Sequence, residues 1–200
     1  ASVPWLDAAQ FVAEPAKRDT APAATLANAI ALSRDANSLC ALFPADAVIH
    51  DTSAFQKNFL DAMRAAAARD SLLTFAIPPA FPSTGFGYLH CGAELERGEN
   101  GTVVLEVRRF VEKPDLETAK SYVESGDYAW NAGMFLWKAA VFQSECERLQ
   151  PELAAFAAAF PSGDFSEYLR NHFPALPKIS VDYAIMEKAR SAIAAETSFD

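Results

Sequence analysis

Residues 109–138, RFVEKPDLETAKSYVESGDYAWNAGMFLWK, restrict the possible folds more than any other stretch of this chain. Residues 102–110 alternate apolar and polar side chains and are rich in β-branched types, which predicts a strand. Asp115 is placed to cap a helix whose apolar positions Leu116, Ala119, Tyr122 and Val123 share one face, and Gly126 is placed to end it. Residues 134–137 predict a second strand. Pro114 disfavours helical backbone at the residue before it, so Lys113 is expected to be extended. Glu112 and Lys113 then stand at the end of a strand, where open α/β sheets bind ligands. Asn131 lies in an otherwise apolar strand, where an amide without partners would be costly.

The rest of the chain supplies the frame around that unit. Residues 10–13 form a short extended run. Thr20 is the expected N-cap of an Ala-rich helix that tolerates Pro22 in its first turn and carries Leu26 and Ile30 on one face. Residues 38–43 are nearly all apolar, as in a strand buried on both faces. A helix over residues 53–69 follows, with Asp51 as its cap and Phe55, Phe59, Leu60 and Met63 as its buried stripe. Strands are predicted at 71–77 and 86–91, with a polar, hairpin-like connection at 94–101. Helices are predicted at 139–150, 152–160, 165–172 and 180–190. Strands alternating with helices in this order predict an α/β fold with a mostly parallel sheet flanked by helices. There are no internal repeats, low-complexity segments or linkers.

Size and charge narrow the function. Two hundred residues, 51% of them hydrophobic, suffice for one well-cored domain or a large piece of one. A net charge of −9 argues against a nucleic-acid-binding surface, although local Lys and Arg or a bound metal can still hold a small anion. Three widely spaced cysteines, Cys40, Cys91 and Cys146, point to reduced thiols and a cytoplasmic compartment. No apolar run reaches the roughly 18–20 residues that span a bilayer, and the N-terminus has no signal-peptide pattern, so no membrane partner is expected. The chain starts without Met inside sequence that reads as structured, and a fragment of a longer protein is expected.

Several residues carry potential chemistry. Asp46 directly follows an expected buried strand, a suitable place for a hard-cation ligand, although a helix cap or loop acid would look the same. In EPAKRDTAPA, the basic Lys17 and Arg18 precede a helix start whose amides suit a phosphate or a base carbonyl. Gly85-Phe86-Gly87 is a weak signal that a turn before a strand explains equally well. Glu112 and Lys113 could be a surface ion pair worth at most about 1 kcal/mol. His50, His90 and His172 show neither metal-ligand spacing nor a triad pattern.

FVEKPD followed by a helix and WNAGMF, together with FPAD, EPAKRDTAPA, STGFGY and ISVDYAIMEK, resembles the sugar-nucleotide pyrophosphorylases, especially mannose-1-phosphate guanylyltransferases. The likeness runs in order from Glu14 to Lys188. It implies a Rossmann-like nucleotidyltransferase fold, with residues 1–200 as a single, partial catalytic domain that lacks the first strand and its Gly-rich loop. It implies GTP and mannose 1-phosphate as substrates, Mg²⁺ as cofactor, and in-line attack on the α-phosphorus. By resemblance, Asp46 holds the metal and is catalytic together with Lys113. Gly85, Glu112, Lys113 and Asn131 take the sugar phosphate, and Glu14, Arg18, Thr20 and Ala21 take the nucleotide. The chain departs from the family pattern at Lys17, Asp19, Ala47, Phe86 and Ala132, which replace Gly, Asn, His, Tyr and Ser. Asp182 matches a motif residue but opens a predicted helix, so capping or packing is expected of it. The family's second metal aspartate would follow Asp200, and little or no transferase activity is expected of these 200 residues alone. A pyrophosphorylase of other base or sugar specificity, or a noncatalytic sugar-nucleotide-binding module, are the alternative readings. A homo-oligomer is compatible with the sequence, which does not decide the point.

Overall fold

The computed structural model describes Asp7, residues 10–197 and Phe199. Its centre is a six-stranded sheet made of β1 (Leu39–Leu42), β2 (Leu72–Ile77), β3 (Tyr88–Arg97), β4 (Val103–Val111), β5 (Tyr128–Lys138) and β6 (Ala192–Glu196). The strand order is β1-β5-β2-β6-β4-β3, and β3 also pairs with the start of β5. The α/β architecture is as expected, but the strand directions are not. Among the described strands β2 with β6 is the only parallel pair, and the sheet is mostly antiparallel. The reason is local on one side and remote on the other. β3 and β4 form a hairpin through the turn at 98–102, and β6 returns from the end of the chain to lie between β2 and β4. The Ala-rich sequence of β6 carries little strand propensity of its own. It is extended because it has a ladder on both sides.

The helices are α1 (Thr20–Leu32), α2 (Thr52–Ala68), α3 (Leu116–Ser125), α4 (Ala139–Leu149), α5 (Pro151–Ala158), α6 (Ser166–His172) and α7 (Val181–Ala184). The cap of α3 is as read from the sequence: Asp115 Oδ1 accepts from Thr118 N at 2.8 Å, and Gly126 closes the helix at φ 74°. Asp51 caps α2 through Ala54 N at 2.9 Å. Other expectations need correction. Residues 10–13 form no strand, and Phe11 is exposed. Asp19, not Thr20, caps α1. β1 is a half-exposed edge strand, not one buried on both faces, because only β5 pairs with it. The region 180–190 is the single turn α7 followed by a 3-10 turn, Met186–Lys188, because Ile185 leaves helical geometry at φ −128°.

The buried face of α2 also differs from the expected stripe. Ala62, Ala65 and Ala66 let the helix sit close on the sheet, while Leu60 is exposed and Phe55, Phe59 and Met63 are half-buried. Asn58 and Asp61 on the same face are buried because the β3–β4 turn supplies their partners. Asp61 accepts from Asn100 N at 2.9 Å, Asn100 Nδ2 at 2.8 Å and Thr102 N at 3.3 Å, and Asn58 Nδ2 donates to Thr102 Oγ1 at 2.9 Å. The larger core lies between the sheet and α1, α4, α5 and α7, around Trp137, Phe142, Phe173 and Ile185. Among the described residues no helix is long and apolar enough to cross a membrane.

Candidate functional site

The site forms where strand ends and short helix starts converge. Thr20 and Ala23 of α1, Leu42 to Pro44 after β1, Gly133 and Phe135 of β5, and Val181 and Asp182 of α7 line a cleft of about 330 Å³. Its floor depends on a bulge in β5. Ala76 of β2 pairs with Asn131 and Thr74 with Phe135, so β5 carries two extra residues there, and Gly133 absorbs them at φ 68°. Bulges re-aim side chains, and this one turns Asn131 into a polar network. Thr74 Oγ1 lies 2.6 Å from Asn131 Oδ1 and 3.0 Å from Met134 O, so its single proton serves one of the two. Gly133 N donates to Asn131 Oδ1 at 3.2 Å, and Asn131 Nδ2 donates to Asp182 Oδ1 at 3.1 Å. One Nδ2 proton of Asn131 has no partner in this network.

The loop after β4 supplies the charges. Lys113 Nζ sits 2.9 Å from Glu112 Oε1, with the Glu112 side chain buried and that of Lys113 about half exposed. The hydrogen bond from Lys113 and the negative charge of Glu112 hold the ammonium above its usual range, so it stays protonated. Glu112 N donates to Glu187 Oε1 at 2.9 Å, which ties the loop to the 3-10 turn after α7. Lys113 is not extended as expected but left-handed, at φ 48°. Lys113 and Asp19 (φ 69°) are the two non-glycine residues with positive φ among those described; Lys113 carries the ion pair with Glu112, and Asp19 directly precedes Thr20 of the cleft. Such strain persists only where surrounding contacts over-determine it, and it clusters at functional sites.

Asp182 belongs to this group, where capping or packing is the sequence expectation, and it is not the cap of α7. Ser180 is the cap of α7, accepting from Tyr183 N at 3.3 Å. Burial, and then the nearby charge of Glu112, push the Asp182 carboxyl up to about 6, while Lys113 and Asn131 pull it down. The two glycines of the 85–87 turn differ in their surroundings. A Cβ at Gly85 would meet only Ser83 Oγ at 3.7 Å, so nothing in the structure requires glycine there. A Cβ at Gly87 would fall 2.6 Å from Glu112 Oε2, and Gly87 O accepts from Asn131 N at 2.8 Å. Gly87 is the glycine that allows Glu112 its place. Thr74 and Glu187 escaped the sequence reading, and Gly87 was not told apart from Gly85, because their roles come from contacts with residues distant in sequence.

The predicted nucleotide residues are only partly gathered. Thr20 lines the cleft, and its Oγ1 accepts from Val181 N at 2.9 Å. Ala21 is fully buried and gives its N–H to Ile179 O at 3.0 Å. Thr20 N is held by Asp19 Oδ1 and Pro22 has no N–H, so the first turn of α1 is not the open amide cradle that was expected. Arg18 is half-buried and donates through Nη2 to Pro174 O, while its buried Nε has no partner. Glu14 is exposed ahead of the helix, and Asp46 is exposed on the turn after β1. No group of three or more His, Cys, Asp or Glu stands ready for a metal among the described residues.

A family model described as nucleotidyl transferase matches residues 7–169. The chain belongs to the nucleotidyl transferase family. Within that family it is 42% identical over 191 residues to the mannose-1-phosphate guanylyltransferase of Escherichia coli, covering 92% of this chain and 39% of that protein. It is also 42% identical over 185 residues to the xanthan biosynthesis protein XanB of Xanthomonas campestris, covering 90% and 38%. A solved structure of a mannose-1-phosphate geranyltransferase from Thermus thermophilus superposes with a TM-score of 0.84 at 28% identity, over 94% of this chain and 53% of the other. This nucleotidyl transferase chain therefore spans about two fifths of the length of the curated relatives it matches.

Proposed function

We propose that the protein transfers a guanylyl group from GTP to mannose 1-phosphate, forming GDP-mannose and pyrophosphate. The observation that carries this reading is the grouping of one protonated lysine, one amide donor and two carboxylates beside the cleft: Lys113, Asn131, Glu112 and Asp182. A hexose phosphate offers one anionic group and several hydroxyls, and this set matches both. Lys113 would hold the sugar phosphate as a point charge. Glu112 would accept from sugar hydroxyls, and the remaining Nδ2 proton of Asn131 would donate to one. Backbone at 85–87 gives the sugar close approach. The likeness to the mannose-1-phosphate guanylyltransferase of Escherichia coli supports the choice of sugar.

In the reaction an oxygen of the sugar phosphate bonds to the α-phosphorus of GTP while the bond from that phosphorus to the β-bridging oxygen breaks, and pyrophosphate leaves. The protein contributes mainly positioning and charge neutralisation, so no covalent enzyme intermediate is needed. Thr20 at the cleft, with Arg18, Glu14 and the backbone near Ala21, would serve the nucleotide. The partnerless buried Nε of Arg18 is consistent with an anion nearby. Mg²⁺, which would neutralise phosphate charge when bound, is typically held by one or two carboxylates plus substrate phosphates and water. The single exposed carboxylate of Asp46 fits that mode. Cys40, Cys91 and Cys146 are all free thiols, which agrees with a cytoplasmic setting.

The test is pyrophosphate release with GTP and mannose 1-phosphate by a chain of the curated relatives' length that contains these residues, because little or no transferase activity is expected of residues 1–200 alone. Release that requires both substrates, and falls at least tenfold in Lys113→Ala, is expected. Release from UTP or ATP with glucose 1-phosphate at an equal or higher rate would overturn the assignment of base and sugar, and no release from any pair would overturn the activity.

A further inference from the structure

We propose that Asp182 is a positioning residue that fixes the side chain of Asn131, so that one amide proton is held inside the protein and the other is presented to the ligand. The inference rests on the functional reading above and adds to it a residue on a different element. Asn131 Oδ1 accepts from Gly133 N at 3.2 Å and lies 2.6 Å from Thr74 Oγ1, whose one proton goes either to it or to Met134 O. A carboxylate accepts and does not donate, so Asp182 Oδ1 at 3.1 Å can face only the nitrogen end. The amide therefore has a single orientation, set by a donor on β5 and an acceptor on α7. Without Asp182 the Nδ2 end is free to rotate or draw in water. Asp182 itself is anchored by the turn that Ser180 caps, and by Val181, whose N–H is held by Thr20 Oγ1 at 2.9 Å.

The surroundings support a role beyond packing. Glu112 and Lys113, from the loop after β4, are the charged groups that act on Asp182, with Tyr183 beside it on α7 and Glu187 reached through Glu112 N. β5 presents Asn131 and α1 presents Thr20, both neutral. Packing alone would call for an apolar residue here. A carboxyl kept half-buried against another acid is costly unless it holds a partner, and Asn131 is the partner it holds.

Two measurements decide the point. In the ligand-free protein, the side-chain amide signals of Asn131 are followed by ¹⁵N NMR between pH 4 and 8 in the unaltered chain and in Asp182→Asn. A shift with a midpoint near the pH at which Asp182 titrates, lost in Asp182→Asn, is expected; the same shift persisting in that variant would overturn the inference. Calorimetry with GDP-mannose provides the second readout. Asp182→Ala should weaken binding about tenfold, Asp182→Asn should stay within about threefold because its amide oxygen still accepts from Asn131, and Asp182→Ala should add little in an Asn131→Ala background. Independent, multiplying effects of the two alanine changes would overturn it. If Asp182→Ala does not fold, the NMR comparison with Asp182→Asn still decides. If the unaltered protein does not bind GDP-mannose, the functional reading fails while the NMR result still tests the positioning role.

Discussion

Gly87→Ala should damage the sugar side of the site while leaving the fold intact. The new Cβ would lie 2.6 Å from Glu112 Oε2, so the carboxylate must retreat by about 0.8 Å to regain an ordinary 3.4 Å contact. Its retreat draws on the contacts that hold it. Lys113 Nζ holds its other oxygen at 2.9 Å, Glu187 holds its backbone, and the Phe110 ring already stands 3.4 Å from the same Cβ. Loss of one charge-assisted hydrogen bond from Glu112 to a ligand hydroxyl is worth roughly 1.5–3 kcal/mol. That corresponds to roughly 10–150-fold weaker binding. Calorimetric titration with GDP-mannose reads the effect, and a thermal melt confirms that the variant is folded. Gly85→Ala is the control, because its Cβ meets nothing closer than 3.7 Å, and its affinity should stay within about twofold. Equal affinities for Gly87→Ala and the unaltered protein, or a larger loss in Gly85→Ala, would refute the reasoning.

Four further outcomes follow from other parts of the fold. Asp61→Ala leaves the buried N–H groups of Asn100 and Thr102 without their acceptor, so denaturant unfolding should show a loss of about 3–5 kcal/mol, and a loss under 1 kcal/mol would contradict the clamp. Burial raises the Asp61 carboxyl, but hydrogen bonds from Asn100 and Thr102 outweigh it and leave it below its usual range. Its contribution is therefore present above the unfolded-state value of about 3.9 and lost as the pH falls below it, and the unfolding free energy of Asp61→Asn should depend less on pH in that window. Burial pushes the thiols of Cys40, Cys91 and Cys146 up to about 11, 11 and 12, so alkylation at pH 8 should be slow until denaturant is added, and rapid labelling of the native protein would contradict this. Gly126 ends α3 in left-handed geometry, so Gly126→Ala should lower stability by about 1 kcal/mol in the same unfolding assay, with no change in GDP-mannose affinity.

What the sequence disclosed and what it hid follow the range of the interactions involved. The caps of α3 at Asp115 and Gly126 were legible because a cap depends on a few neighbouring residues. Glu112, Lys113 and Asn131 were legible as polar residues where a strand should be apolar, and the structure brings all three together with Asp182. Strand direction was not legible, because it depends on β6 arriving from the other end of the chain to pair with Leu72–Ala76 and Val104–Glu106. The buried face of α2 was misread for the same reason: Asn58 and Asp61 look solvent-facing until the β3–β4 turn supplies their partners. Pro114 correctly signalled a break, but the local rule for the residue before proline gave an extended Lys113. Tertiary contacts of Glu112 and its neighbours hold it left-handed instead. Gly85 and Gly87 were indistinguishable in a Gly-x-Gly pattern, since only the position of the Glu112 carboxylate separates them.

The most direct test of the central claim is a calorimetric titration with GDP-mannose, in parallel for the unaltered protein, Lys113→Ala and Asn131→Ala, with UDP-glucose as the competing ligand. Binding of GDP-mannose in preference to UDP-glucose, weakened at least tenfold by each substitution, is the predicted result. Unchanged affinity in both variants, or a preference for UDP-glucose, would contradict the site and the ligand proposed for it.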